Sequence, residues 1–254
     1  MPNYYAHLKF GGKVLEALPQ GLADAIAAER EAFDLGCLGP DPLFFYQPLR
    51  PNAVRREGVQ MHRRSALPAA ERLSQAVEEG QPQAVGYTAG FLCHLALDSA
   101  CHGYVDERAA EGPISHMAME GEYDRMLMED DGLDPCGRAH LPAAPEDGAV
   151  WQAAARAFVH ASPGQVRQAY RAMTFLIGFL ARSCGTKRGR VIGESYAAHS
   201  LRQGHRLERG AAPLCGGEQR GFGPPAGAGG GGDGGAAWGI LPGRRGGRTG
   251  PGLV

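Results

Sequence analysis

His94, Asp98 and His102 stand four residues apart in the run Phe-Leu-Cys-His-Leu-Ala-Leu-Asp-Ser-Ala-Cys-His. On a helix this step stacks successive side chains on one face, about 6 Å apart, close enough for one carboxylate to serve two cations. His116 and Glu120 repeat the four-residue step shortly afterwards. A His and a carboxylate in that register form a two-toothed arm for zinc, and two arms on adjacent helices can converge on shared metal. A lone histidine on an apolar helix is ordinarily a satisfied core residue. Three ionisable groups on one such helix are a different case. Burying them without partners costs several kcal/mol, which a metal or a dense hydrogen-bond network must offset. The second arm close by favours the metal.

The segment holding the first arm, Val85 to Cys101, contains Tyr87, Phe91, Leu92, Leu95 and Ala96 and no proline, the pattern of a helix largely buried in a bundle. After Gly112 and Pro113, Ser115 is placed to cap a helix through Tyr123 and Met128 that carries the second arm. Upstream, Leu15, Leu18, Leu22, Ile26 and Ala27 recur at helical spacing, and the pattern continues to Phe33. Gly36, Gly39, Pro40 and Pro42 then break the helix and set Asp41 on a loop of restricted conformation, where functional groups are often presented. Arg50 to Arg56, with Pro48 and Pro51, reads as a polar connection before a helical segment over Gly58 to Ala66 that carries His62. A loop rich in Pro and Gly runs from Gly132 to Gly148. Two helical periods follow, Val150 to His160 and Ser162 to Arg182, the second with Ser162 as cap and Pro163 at the first helical position. No alternating strand pattern competes. The predicted class is all-α, a multi-helix bundle with a metal cluster between its helices.

The chain of 254 residues is 43% hydrophobic and 21% charged, a globular composition with no case for a collagen-like or membrane class. No stretch approaches the roughly 18 consecutive apolar residues of a membrane-spanning helix. The N-terminus lacks a basic region followed by an apolar one, so a cytoplasmic location is expected. Six cysteines without a CxxC pair suit a reduced compartment. The grammar changes near Gly185. Residues 185–254 hold 22 of the 39 glycines, and 10 Lys or Arg against 4 Asp or Glu, leaving 16 against 23 for residues 1–184. The chain therefore divides into a helical domain, 1–184, and a low-complexity Gly/Arg-rich tail, 185–254, expected to be disordered. Gly, Ala, Arg and Pro are what GC-rich DNA yields out of frame, so a frameshift product is the preferred reading of the tail. A basic nucleic-acid-binding arm is the second.

With these residues in view, the chain resembles the bacterial zinc-dependent phospholipase C family, which shares its fold with the zinc-dependent single-strand nucleases. The resemblance covers nearly all of residues 1–180. It rests on the N-terminal Tyr-Tyr-Ala-His, the loop Leu-Gly-Pro-Asp, Met61-His62, the HxxxD helix and the later HxxxE. It implies two or three zinc ions: Asp41, His62, His94 and Asp98 at one, His102, His116 and Glu120 at a second, and His7 with a bridging Asp98 at a third. It also implies that Asp41 orients or deprotonates the attacking water. Two departures are visible. The secreted relatives use an N-terminal tryptophan at the third metal, whereas this chain begins Met-Pro, and they place a slightly longer gap before the residue matching His102.

Metals a few ångströms apart can clamp a phosphate and activate water, so the predicted activity is zinc-dependent phosphodiester hydrolysis of phospholipase C type on a phospholipid or other phosphoester. Two rivals stand beside it. A nuclease or nucleotidase with the same metals would use basic residues near the cleft, for which Arg50, Arg55, Arg56, Arg63 and Arg64 are the candidates. A metal-stabilised structural protein without turnover would follow from an incomplete cluster. The aromatic group Phe44, Phe45 and Tyr46 reads as core or as one wall of a pocket. His140 and His160 read as surface, and Glu122 and Asp124 as solvated groups or as partners that orient a ligating histidine.

Overall fold

A computed structural model describes residues 4–112, 116–136 and 138–183. Among the described residues the chain forms nine α-helices, one 3-10 helix and no strand. In chain order the helices are α1 (Tyr4–Ala17), α2 (Gln20–Ala27), α3 (Arg30–Cys37), α4 (Ala53–Met61), α5 (Leu67–Glu78), α6 (Ala84–Glu111), α7 (His116–Asp130), α8 (Gly148–Ala155) and α9 (Pro163–Ser183), with the 3-10 helix at Asp41–Phe45 between α3 and α4. None of them is long and apolar enough to cross a membrane. The tail 185–254, Cys184 and the expected cap Ser115 lie outside the described residues.

The axis of the fold is the 28-residue α6, against which α3 packs most closely. Glycines permit the approach. A β-carbon on Gly90 would fall 2.1 Å from the Phe33 carbonyl oxygen, and one on Gly36 would fall 2.3 Å from that of Tyr87. Gly86 meets Glu29 in the same way, and the Glu29 carboxylate accepts the backbone N–H groups of Gln83 and Gly86 at 3.1 and 2.6 Å. An acid at a helix N-terminus satisfies donors that have no partner inside the helix and complements the dipole. The core continues through Leu38, Leu43, Tyr87, Phe91, Trp151 and Tyr170. Two loop carbonyls tie the 133–147 connection to it, Pro145 accepting from Trp151 Nε1 at 3.0 Å and Pro142 from the Tyr170 hydroxyl at 2.7 Å.

Several boundaries differ from those expected. The single helix read from Leu15 to Phe33 is divided, because Pro19 lacks the N–H needed to continue α1 and instead precedes α2. The first helix begins at Tyr4, where Gly11 and Gly12 had masked its pattern. The stretch Arg50–Arg56 is no plain connection, since Asn52 caps α4 by accepting from the Arg55 N–H at 2.8 Å. Consequently α4 ends at Met61 with His62 as its C-cap, and α5 forms where none was expected. Helix α6 runs ten residues beyond Cys101, to Glu111, because no breaker intervenes and Gly103 is exposed. Helix α8 stops at Ala155 rather than His160. Ser162 does cap α9, exchanging hydrogen bonds with Gln165 in a reciprocal box.

Candidate metal centre

On α6 a single row steps by four residues through Gly86, Gly90, His94, Asp98, His102 and Asp106. Each step advances 400°, so the row drifts about 40° around the helix per residue pair. Its first two members admit α3 and the last four offer donors. The α3 approach carries the chain into Gly39, at φ +52, then into the 3-10 helix that opens with Asp41. Asp41 is thus on a helical turn rather than an open loop, and it is buried. From α1 comes His7, from the end of α4 His62, and from α7 His116 and Glu120.

Asp98 lies at the centre. Its Oδ1 is 3.3 Å from His7 Nε2, and its Oδ2 is 3.4, 3.7 and 3.8 Å from the Nε2 atoms of His94, His102 and His62. His62 Nε2 is 2.9 Å from Asp41 Oδ1. His7 stacks on His94 with ring centroids 4.2 Å apart. His7 therefore joins Asp41 and His94 in one group as well as meeting Asp98, and His62, His94 and Asp98 form another. At the outer end His116 Nε2 is 2.5 Å from Glu120 Oε1, and the His102 and His116 rings are 5.5 Å apart. The side chains of His7 and His94 are 0% exposed, and those of His102 and His116 are 32% and 30% exposed, so the cluster runs from a sealed end to an open one.

The ring orientations disclose the tautomers. His62 Nδ1 is 2.9 Å from the Gly58 carbonyl oxygen and His94 Nδ1 is 3.3 Å from that of Cys37. A carbonyl only accepts, so these nitrogens carry the protons and the Nε2 lone pairs face the carboxylates. No hydrogen-bond geometry relieves them: Nε2 of His7, His62, His94 and His102, with Oδ1 of Asp41 and of Asp98, are buried without a hydrogen-bond partner. Lone pairs meeting carboxylate oxygens at 2.9–3.8 Å repel unless positive charge lies among them. Zinc fits this donor set. Bonds of about 2.1 Å in a tetrahedron put ligand atoms about 3.4 Å apart, which is the spacing found here.

The electrostatics agree. Burial pushes the His94 imidazole down to about 4, aided by His7. Burial would raise Asp98, but His7, His94 and His62 outweigh it and hold the carboxyl down at about 2. Asp41 is likewise held below the ordinary range by His62, His94 and His7 against its burial. His62 runs the other way, since burial would lower it but its contact with Asp41 outweighs that and raises it. His94, Asp41 and Asp98 are in the form a cation requires.

Two residues outside the expected set shape the site. Asp106, one turn beyond His102, has Oδ1 2.8 Å from His116 Nδ1 and Oδ2 3.8 Å from His102 Nδ1, and one ligand atom from each of the three lies within 4.8 Å of the others. The four-residue row ran on to it in the sequence, and that was the missed signal. Buried Asp124 on α7 accepts the N–H groups of Tyr5 and Ala6, both at 2.9 Å, and so clamps the N-terminus of α1 at the two residues just before His7. Burial pushes its carboxyl up to about 7 in spite of these bonds. Glu122 instead pairs with Arg125 at 2.8 Å. Phe44 faces His62 with ring centroids 5.0 Å apart, while Phe45 and Tyr46 join the core. Arg55 is buried and donates to the Pro48 carbonyl, which removes it from the basic surface. His140 and His160 stand apart from the cluster, His140 against the Asp134 carbonyl at 2.8 Å and His160 exposed.

A sequence model of the family described as zinc dependent phospholipase C matches residues 6–179, a span that contains every donor named above. No curated protein and no solved structure matches the chain.

Proposed function

Because the chain belongs to the zinc-dependent phospholipase C family, we propose that it hydrolyses a phosphodiester bond of a phospholipid with two or three zinc ions held along α6. The observation that carries this reading is the Asp98 carboxylate, faced by four ring nitrogens within 3.8 Å, whose buried Oδ1 has no hydrogen-bond partner. Asp41, His62, His94 and Asp98 hold the inner ion, and His102, His116 and Glu120 the outer one. His7 with Asp98 supplies donors for a third. Zinc bound in this way supplies Lewis-acid polarisation of a phosphoryl oxygen and brings the pKa of a water to about 7.

The chain's own residues do the rest. Asp41, ionised at neutral pH by its histidine neighbours, accepts the proton of the attacking water and fixes its direction. The Nδ1–H bonds of His62 and His94 to backbone carbonyls keep both rings in register through turnover. The sealed end excludes bulk water, and the exposed His102–His116 end admits the phosphate. Phe44 beside His62 offers an apolar wall to the lipid portion.

The test is elemental analysis of purified protein paired with hydrolysis of phosphatidylcholine vesicles, phosphatidylinositol vesicles and single-stranded DNA. The expected result is at least two zinc ions per chain and release of phosphorylated headgroup from a vesicle. Cleavage of DNA alone would assign the same metals to a nuclease, and protein without zinc would end the reading.

A further inference from the structure

A cavity of about 520 Å³ opens between α1, α3 and the connection from α7 to α8, a size within the range of about 300–1,000 Å³ usual for small-molecule sites. It is separate from the metal cluster. His7 meets Asp98, whereas Tyr5 and Lys9, two residues to either side of it, stand about 200° away around α1 and line the cavity. The lining is of two kinds. Leu8, Leu133 and Leu141, each partly buried against the core, form an apolar floor, and Lys9, Arg30 and Arg138 bring positive charge to it. These cations are unequally engaged. Lys9 Nζ lies 2.7 Å from both carboxylate oxygens of Asp131, to one of which the Tyr5 hydroxyl also donates at 2.7 Å. Arg30 donates from Nε to Asp34 at 2.7 Å and keeps its two terminal nitrogens uncommitted among the described residues. Exposed Arg138 has no hydrogen bond or ion pair among the described residues. Set against Asp34 and Asp131, the three cations leave a surplus of one positive charge, and Arg138 carries it.

We propose that this cavity is a binding site for a phosphate-headed amphiphile, its apolar chain on the leucine floor and its phosphate between Arg30 and Arg138. Guanidinium groups meet phosphate oxygens as planar forks, and two forks on one cavity have use for more acceptor oxygens than the two of a carboxylate. A neutral ligand would strip water from these donors without supplying acceptors. A bare phosphate ion would leave the leucines wet and forgo the gain of covering them. The volume suits a short chain. At about 30 Å³ for each water-sized atom, the cavity holds roughly 17 non-hydrogen atoms, and octyl phosphate has about 13. No donor of the metal cluster lines this cavity, so the site stands whether or not zinc is bound.

Octyl phosphate below its micelle concentration, titrated into the full chain, tests this, with calorimetry for affinity and hydrogen-exchange mass spectrometry for location. Binding should raise amide protection over Tyr5 to Lys9 and Leu133 to Pro142. Arg138→Ala should melt as the wild type does, because the side chain is exposed and unpaired, and should weaken binding by about tenfold or more, the loss of one charge-assisted contact. Inorganic phosphate and octyl glucoside, which each supply one half of the ligand, should both bind at least about tenfold more weakly than octyl phosphate. Failure of octyl phosphate to bind would overturn the proposal. Protection confined to peptides that carry His62, His102 and His116, with affinity unchanged in Arg138→Ala, would also overturn it by placing the amphiphile at the metal centre. Inorganic phosphate that binds as tightly as octyl phosphate would reduce the cavity to an anion site, and octyl glucoside that does so would reduce it to an apolar groove. Either result rejects the amphiphile.

Discussion

Gly39 lies against the edge of the His94 ring: a β-carbon at residue 39 would stand 2.4 Å from His94 Cδ2. Its φ of +52 is a second reason for glycine, since L side chains rarely adopt that backbone conformation. Gly39→Ala is therefore expected to cost about 2–4 kcal/mol, combining backbone strain with an overpacked buried ring. It should also weaken the inner zinc, because His94 cannot yield without swinging its Nε2 off line. Thermal melting and zinc content report the two effects. An alanine variant with wild-type zinc content would show that the ring has room to move.

The N-terminal anchor of His7 is electrostatic. Asp124 takes two backbone N–H groups at the start of α1 with its two oxygens, and an amide in its place offers one acceptor and one mismatched donor. Asp124→Asn should lower stability by about 1–3 kcal/mol, and it should loosen α1 so that His7 exchanges its contacts more readily. Amide hydrogen exchange over Tyr5 to Gly11 should rise in the variant while α9 keeps its protection. Equal loss of protection in both helices would make Asp124 a general stability residue instead.

How far the sequence disclosed this arrangement depends on what each element uses to form. The long apolar run of α6 and its row of histidines and carboxylates were legible, because helical period and four-residue spacing are local properties. The arm on α7 was legible for the same reason. Helix α1 was hidden, since two glycines interrupt its pattern and its N-terminus is held by an aspartate 118 residues away. Helix α5 buries only a small face, Ala69, Leu73 and Ala76, too slight to stand out by periodicity. Asp106 obeyed the row but seemed one solvated acid among several. Only the approach of α7 brings His116 within 2.8 Å of it.

Metal removal should be felt by the whole domain. With a ligand a thousandfold above its dissociation constant, the folded state gains about 4 kcal/mol by mass action, and chelation also leaves the lone pairs around Asp98 facing one another unscreened. For a domain of this size that corresponds to a fall of roughly 8–16 °C in Tm. Calorimetry with and without EDTA checks it, with restoration by added zinc but not by magnesium, because the donors are mainly imidazole. A melting curve indifferent to EDTA would show that the cluster is satisfied without metal.

The two aspartates of the inner site should separate in their effects. Asp41 meets one ring nitrogen closely, His62 Nε2, from a turn that is otherwise held by its own backbone bonds. Asp98 is met by four rings. Neutralising Asp41 removes a base and weakens one ligand contact, so Asp41→Asn should keep most of its zinc and lose turnover of a phosphoester by about 10²-fold or more. Neutralising Asp98 removes the charge that all the inner imidazoles share, and a neutral amide cannot balance two cations. Asp98→Asn should therefore be depleted of metal and melt close to chelated wild-type protein. Zinc analysis of both variants, alongside turnover, decides the matter. Equal zinc loss would reduce Asp41 to a ligand like the others, and an active Asp41→Asn protein would remove it from the chemistry.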